Sequence, residues 1–270
     1  MAAAADSKPL LLTGAAGNLG SFLRPHLAKR PGGLRSTDIR AFEPALCGEE
    51  IMLGDLADAG SMDRLVAGAA AIVHFGAVGA EDSFERILRA NIIGTYNLLE
   101  AARHHGVRRI VYASSIHVIG LHPTTLTADS ETLPRPDSYY GVSKVFGEHL
   151  ARLYVDKAGL EIACLRIGVA AAEPKTPRNL WTWLSIPDLC RLVDACLAAP
   201  DLGFAVIYGV SANRRRWWDN SKSPVDFRPE GDAESFAARI LSGGKIPAGD
   251  APDLAFHGGP FVKLDLGQRP

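Results

Sequence analysis

Three side chains in this 270-residue sequence have the types and spacing to move a proton: Tyr140, Lys144 and Ser115. Tyr140 and Lys144 stand four apart in Tyr-Gly-Val-Ser-Lys, so a helix carries both on one face, one turn apart. A free phenol, with a pKa of about 10, is a poor base at neutral pH. A neighbouring ammonium stabilises the phenolate and lowers that value, and an oxidised nicotinamide pushes the same way. The phenolate then takes a hydroxyl proton as hydride leaves for the cofactor. Ser115, in Ala-Ser-Ser-Ile-His, ends an apolar strand, where its hydroxyl can hold a substrate oxygen in line with Tyr140. Ser114 competes for that role, but strand alternation points its side chain the other way. Tyr-x-x-x-Lys alone occurs by chance on many helices, so its meaning depends on its surroundings.

Those surroundings include a phosphate cradle. An apolar run, Leu10 to Thr13, leads into Gly14-Ala15-Ala16-Gly17-Asn18-Leu19-Gly20 and then a helical pattern. In a GxxGxxG turn, Gly14 makes the tight bend, Gly17 lets backbone approach a pyrophosphate, and Gly20 lets helix pack on strand. The helix N-terminus adds free N–H groups and a positive dipole end. Asp38 closes the second strand, at the distance expected for a carboxylate that accepts from both adenosine ribose hydroxyls. It would repel a 2′-phosphate, favouring NAD over NADP, while Arg40 two residues on weakens that preference. Asp55 follows the third strand and can meet the adenine edge. Phe75-Gly76-Ala77 follows the fourth, where small residues admit the cofactor. Each of these alone is equally well a turn.

The elements that must hold these groups follow an alternating pattern of β-prone apolar runs and helical periodicity, the mark of a parallel sheet covered by helices. Strands are expected at Leu10–Thr13, Leu34–Ile39, Glu50–Leu53, Ala71–Phe75, Arg109–Ser114, Glu161–Ile167 and Phe204–Tyr208. Helices are expected from the glycine turn to Lys29 and over Ser61–Ala67, Ser83–His105, Tyr139–Ala158, Ile186–Ala199 and Ala233–Leu241. Gly94 interrupts the third of these, which suggests close packing. The fold class is therefore α/β, a Rossmann-type doubly wound sheet of about seven strands with a small C-terminal substrate lobe. Residues 1–8 read as a disordered end, 9–170 as the nucleotide-binding core, and 171–270 as the lobe with the last core strand, in one compact unit.

Composition narrows the function further. Net charge is −1 and 47% of residues are apolar, ordinary for a globular protein. Arg214-Arg215-Arg216 is too short a basic run to suggest nucleic acid. Cys47, Cys164, Cys190 and Cys196 form no CxxC pair or zinc spacing, so no metal is expected. They read as free buried thiols in a reducing cytosol. The first residues lack a signal-peptide pattern, and no run reaches membrane-span length.

The order GxxGxxG, strand-end Ser, YxxxK resembles the extended short-chain dehydrogenase/reductase superfamily over nearly the whole chain. Within it, the sequence resembles the uronate dehydrogenases. The segments that carry this are Leu12–Gly20, Asn91–Leu98, Tyr140–Lys144, Ser211-Ala212-Asn213 and Trp217-Trp218-Asp219-Asn220. The resemblance implies NAD-dependent oxidation of the C1 hydroxyl of glucuronate or galacturonate to the aldarolactone, in a homo-oligomer; the cytoplasmic location rests on the free thiols. It implies Tyr140 as base, Lys144 as its partner and Ser115 as the orienting hydroxyl. It places Asn18, Leu19, Asp38, Asp55, Leu56, Asn91 and Ile167 at the cofactor, His117 at the substrate, and Arg178 on the substrate carboxylate. Gly79, Ile116 and Val169 occupy substrate positions where the family carries serine, asparagine and serine. An unpaired buried sugar hydroxyl costs roughly 1–3 kcal/mol. These three replacements therefore keep open a less polar alcohol or a neutral aldose as the substrate. A nucleotide-sugar epimerase or dehydratase needs a larger lobe, and a non-catalytic dinucleotide sensor would not need the Tyr/Lys pair.

Overall fold

A computed structural model describes residues 8–42, 44–241 and 252–270. Of the N-terminal segment read as disordered, residues 1–7 lie outside the described residues. Strand β1, Leu10–Thr13, leads into helix α1, Asn18–Leu27, followed by β2, Leu34–Thr37, and β3, Glu49–Ile51. Helix α2, Ala59–Val66, precedes β4, Ala71–His74. The expected long helix is three pieces: α3, Phe84–Ile87, a π-helical turn, Leu88–Ile93, and α4, Gly94–His104. Strand β5, Arg109–Ser115, passes into a 3₁₀ turn, Ile116–Ile119. Then come α5, Tyr139–Ala158, and β6, Glu161–Ile167.

Beyond β6, the short strands β7, Val169–Ala170, and β8, Trp183–Leu184, pair in parallel on either side of α6, Asn179–Thr182. Helix α7, Ile186–Ala198, and β9, Phe204–Gly209, complete the core. The expected helix over Ala233–Leu241 is a 3₁₀ turn, Ala233–Phe236, continued by α8, Ala237–Ile240.

The seven-stranded sheet runs β3-β2-β1-β4-β5-β6-β9, parallel at every pairing. Successive crossovers move outward from β1 to β3 and then from β4 to β9. The order therefore reverses between β1 and β4 and leaves a crevice over their carboxyl ends, where doubly wound folds take ligands. Both sheet faces are buried, which is why the strands read as continuous apolar runs. Leu10 and Leu12 face Leu23 and Leu27 of α1 and Leu189 and Leu192 of α7. Leu11 faces the other layer, with Met62, Leu65, Leu98 and Ala151 from α2, α4 and α5.

Local sequence explains the helix ends that matter. Ser138 caps α5 by accepting from the Gly141 N–H, and Gly159 ends it with φ +66°. A Cβ on Gly94 would lie 2.7 Å from Leu56 Cβ, so this glycine serves the close packing anticipated for it. Three expectations need correction. The second and third strands stop at Thr37 and Ile51, because Ile39 and Leu53 are already exposed beyond the sheet edge. The thiols are not all buried: Cys164 and Cys196 are, Cys190 is partly covered, and Cys47 is exposed in the loop before β3.

Candidate active site

Two adjoining cavities, of about 590 and 610 Å³, share Gly14, Gly17, Phe75, Ala77 and Gly79 and follow the carboxyl edge of the sheet. One runs toward Thr37, Asp38, Asp55 and Leu56, the other toward Ser115, Tyr140 and the 3₁₀ turn after β5.

The shared wall is the glycine turn. Gly14 holds φ +72°, and a Cβ there would stand 2.6 Å from the Gly76 nitrogen. A Cβ on Gly20 would stand 2.0 Å from the Gly14 carbonyl oxygen, so the turn closes against its own helix. α1 starts at Asn18 with no side-chain cap at Gly17 and no acidic residue in its first turn, which leaves its N-terminal N–H groups for an anion. Asp38 is fixed by accepting from the Ala16 N–H at 3.1 Å and the Arg40 N–H at 3.1 Å. Asp55 accepts from Arg89 Nη2 at 2.5 Å. A cradle that only glycine fits, with a carboxylate one strand away, suits a dinucleotide.

The other cavity gathers Ser115, Tyr140 and Lys144. Tyr140 opens α5, and Lys144, one turn later, donates from Nζ to the Ala113 carbonyl at 2.8 Å. The ammonium lies 5.6 Å from the Tyr140 ring centroid and 5.1 Å from that of Tyr112. Burial lowers the Lys144 ammonium to about 8 and raises the Tyr140 phenol to about 12, against which the Ser115 hydroxyl acts. Ser115 accepts from the His117 N–H at 3.2 Å. Ser114 turns away, as strand alternation requires, and donates to Glu148 at 2.6 Å. Glu148 in turn is held by both arms of buried Arg166.

Every residue assigned from sequence lines one of the two cavities except Asn91. Its buried amide accepts from the Val78 N–H at 2.8 Å and donates to the Val78 carbonyl and to Ser143 Oγ. It pins the loop after β4 to α5 from behind the wall. Arg178 lines the sugar-side cavity, yet Nη1 donates to the carbonyls of Asp253 and Phe256 and Nη2 to that of His257. Two of its five N–H donors remain for a carboxylate, Nε–H and one on Nη2. The guanidinium also sits 5.1 Å from the Trp217 ring, and burial pulls it down to about 10.

Sequence reasoning missed several groups here. Phe261, from the C-terminal segment, lies tilted against the His117 ring, with centroids 3.9 Å apart. Asp137 accepts from His117 Nδ1 at 2.8 Å. Glu81 accepts both the Tyr140 N–H and the Gly267 N–H, each at 2.8 Å. Only Asp137, three residues before Tyr140, stood close enough in sequence to be suspected. The tryptophans are packing: Trp181 stacks on Trp217, while Trp183 and Trp218 are buried. Arg214 and Arg215 pair with Asp232 and Glu234.

Residues 10–185 match the NAD dependent epimerase/dehydratase family. A uronate dehydrogenase of Pseudomonas syringae pv. tomato is 47% identical over 94% of this chain and 92% of its own length. The crystal structure of uronate dehydrogenase from Agrobacterium tumefaciens matches with a TM-score of 0.92 at 45% identity, covering 97% of this chain and 100% of that one. A mutant of the Agrobacterium enzyme complexed with NAD matches with a TM-score of 0.89 at 44% identity, over 96% of this chain and 98% of that one. With its parallel sheet, its glycine cradle and its Tyr140–Lys144 pair, the chain belongs to the NAD dependent epimerase/dehydratase family and, within it, to the uronate dehydrogenases.

Proposed function

We propose that this protein oxidises the C1 hydroxyl of a uronic acid, glucuronate or galacturonate, to the aldarolactone, with NAD as the oxidant. The observation that carries this reading is the meeting of Ser115, Tyr140 and Lys144 at one end of a channel whose other end holds the glycine cradle and Asp38. Bound NAD supplies the hydride acceptor. The turn at Gly14–Gly20 and the start of α1 would bind its pyrophosphate, and Asp38 would accept from its adenosine ribose.

Ser115 orients the substrate hydroxyl and Tyr140 removes its proton. Lys144 spends one of its three N–H donors on Ala113, which leaves two to hold the phenolate. A phenol at about 12 is not ionised at neutral pH, and Lys144 together with the positive charge of a bound oxidised nicotinamide would favour its ionised form. Arg178 takes the substrate carboxylate, and residues past 171 supply that wall of the pocket. The named relatives favour a uronate over the less polar alcohol or neutral aldose suggested by Gly79, Ile116 and Val169.

The reading includes a homo-oligomer, supported by exposed Phe84, Ile93, Tyr96, Val142 and Leu153 along α3, the π-helical turn, α4 and α5. Light scattering at micromolar concentration tests it: a monomer mass rejects this part. Among the described residues, no helix is long and apolar enough to cross a membrane. The purified protein with NAD and galacturonate, glucuronate, galactose or a simple alcohol tests the main claim through absorbance of NADH. Turnover is expected with the uronates, and turnover confined to the neutral compounds overturns it.

A further inference from the structure

His117 and Asp137 form a pair that the proton chemistry above does not use. His117 borders the sugar-side cavity, between the Tyr140 ring at 5.8 Å and the Phe261 ring at 3.9 Å. Nδ1 meets Asp137 Oδ2 at 2.8 Å, and the Asp137 side chain is 0% exposed. Oδ1 of the same carboxylate accepts from the Ser138 hydroxyl at 2.7 Å, the hydroxyl that caps α5. Oδ2 is closely enclosed by glycine backbone, since a Cβ on Gly120 or on Gly258 would lie 1.9 Å from it. The carboxylate is thus held at both oxygens, and it fixes the orientation of His117.

An ionised carboxylate only accepts hydrogen bonds, so the proton between the pair sits on Nδ1. In the neutral imidazole this leaves Nε2 with a lone pair and no proton, an acceptor. The imidazole therefore suits a hydroxyl and gives a carboxylate nothing to bind. That divides the sugar-side cavity by chemistry, with donors at Arg178 and an acceptor at His117 next to the reacting corner.

Resting on the uronate reading, we infer that Asp137 is a positioning residue that locks His117 as the acceptor for the substrate hydroxyl neighbouring the one oxidised, the 2-hydroxyl. Such an arrangement discriminates between substrates, because an acceptor partly covered by Phe261 and left without its hydrogen is penalised.

The test compares galacturonate with its 2-deoxy analogue on the wild type, Asp137→Asn, His117→Gln and the double variant. Asparagine can turn its NH₂ toward Nδ1 and move the ring proton to Nε2. Glutamine at 117 offers a carbonyl acceptor that needs no such lock. The Asp137→Asn change is expected to raise KM for galacturonate about tenfold, with kcat within a few-fold and the 2-deoxy analogue unaffected. It should add nothing in the His117→Gln background, and NADH affinity by fluorescence should be unchanged throughout. Equal losses on both substrates, or additive losses in the double variant, overturn the inference.

Heteronuclear NMR of the folded wild type gives a reading independent of any variant's stability. With the imidazole neutral, the Nδ1–H tautomer is expected, and an Nε2–H tautomer overturns the proposal. A wild type that makes no NADH from any uronate refutes the functional reading instead, and the tautomer result stands apart from it.

Discussion

The two ends of the ligand channel are built in opposite ways. The adenosine end rests largely on backbone: Gly14, Gly17 and Gly20 lie within one turn and one helix start, Gly76 closes against Gly14, and Asp38 reaches back to the Ala16 N–H. Its lining is backbone shape with two carboxylates, Asp38 and Asp55. The sugar end is drawn from five separate segments, around Ser115, Tyr140, Val169, Arg178 and Phe261, and rests on side chains. A backbone site tolerates changes of side chain around it, whereas a side-chain site can be retuned one residue at a time. Gly79, Ile116 and Val169 all fall at or beside the second kind.

Tyr140→Phe gives the sharpest separation of the two ends. It should lower kcat by about 10³-fold or more while leaving NADH affinity by fluorescence unchanged. A loss of NADH binding would mean that the ends are not independent.

The seam between the ends should be acid-sensitive. His74, at the end of β4, bonds Thr13 of β1 at 2.7 Å, and burial with the Lys144 charge lowers it from 6.5 to about 3. Below pH 6.5 the unfolded chain takes up a proton that the native imidazole refuses, so stability present above 6.5 falls as the pH drops toward 3. Urea titrations at pH 7 and pH 4 should differ by roughly 3 kcal/mol from this group, and His74→Gln should flatten the difference.

Gly20→Ala attacks the adenosine end alone. Its Cβ would meet the Gly14 carbonyl at 2.0 Å, so the turn must open. Calorimetry should show a loss of about 1–3 kcal/mol in stability and a larger proportional loss in NAD affinity than in KM for the uronate.

Asp38→Asn removes the charge that repels a 2′-phosphate, with Arg40 Nε 4.0 Å from it. The ratio of kcat/KM for NADP to that for NAD should rise about tenfold, and an unchanged ratio would remove Asp38 from cofactor selection. Glu81→Gln is the mildest. It weakens a tie shared by Tyr140 and Gly267, and kcat should fall only a few-fold, with uronate KM following.

The same contrast explains what was legible. The individual strands, the cradle and the Tyr140–Lys144 pair are local patterns, and Asp38 stands at the sequence distance that a nucleotide-binding strand pair expects. Strand pairings of two residues, as in β7 and β8, carry no periodicity to detect. The contact of Phe261 with His117, the tie of Gly267 to Glu81 and the carbonyls around Arg178 join positions far apart in sequence. Nothing near any one of those residues announces its partner. Asn91 belonged to a recognisable segment, but its placement behind the wall follows from the π-helical turn, which propensity does not reveal.

The parallel pairing of β1 with β4 has a kinetic consequence. Thr13 and His74 meet across 61 positions, and the cavity that starts at Gly14 is finished by Phe261. A loop of that length must close before the β1–β4 ladder repays its entropy, so refolding should be slow and the chain exposed to aggregation meanwhile. A nucleotide added early would find only the adenosine end, whose lining is complete by Ala90, while the sugar end waits for Phe261.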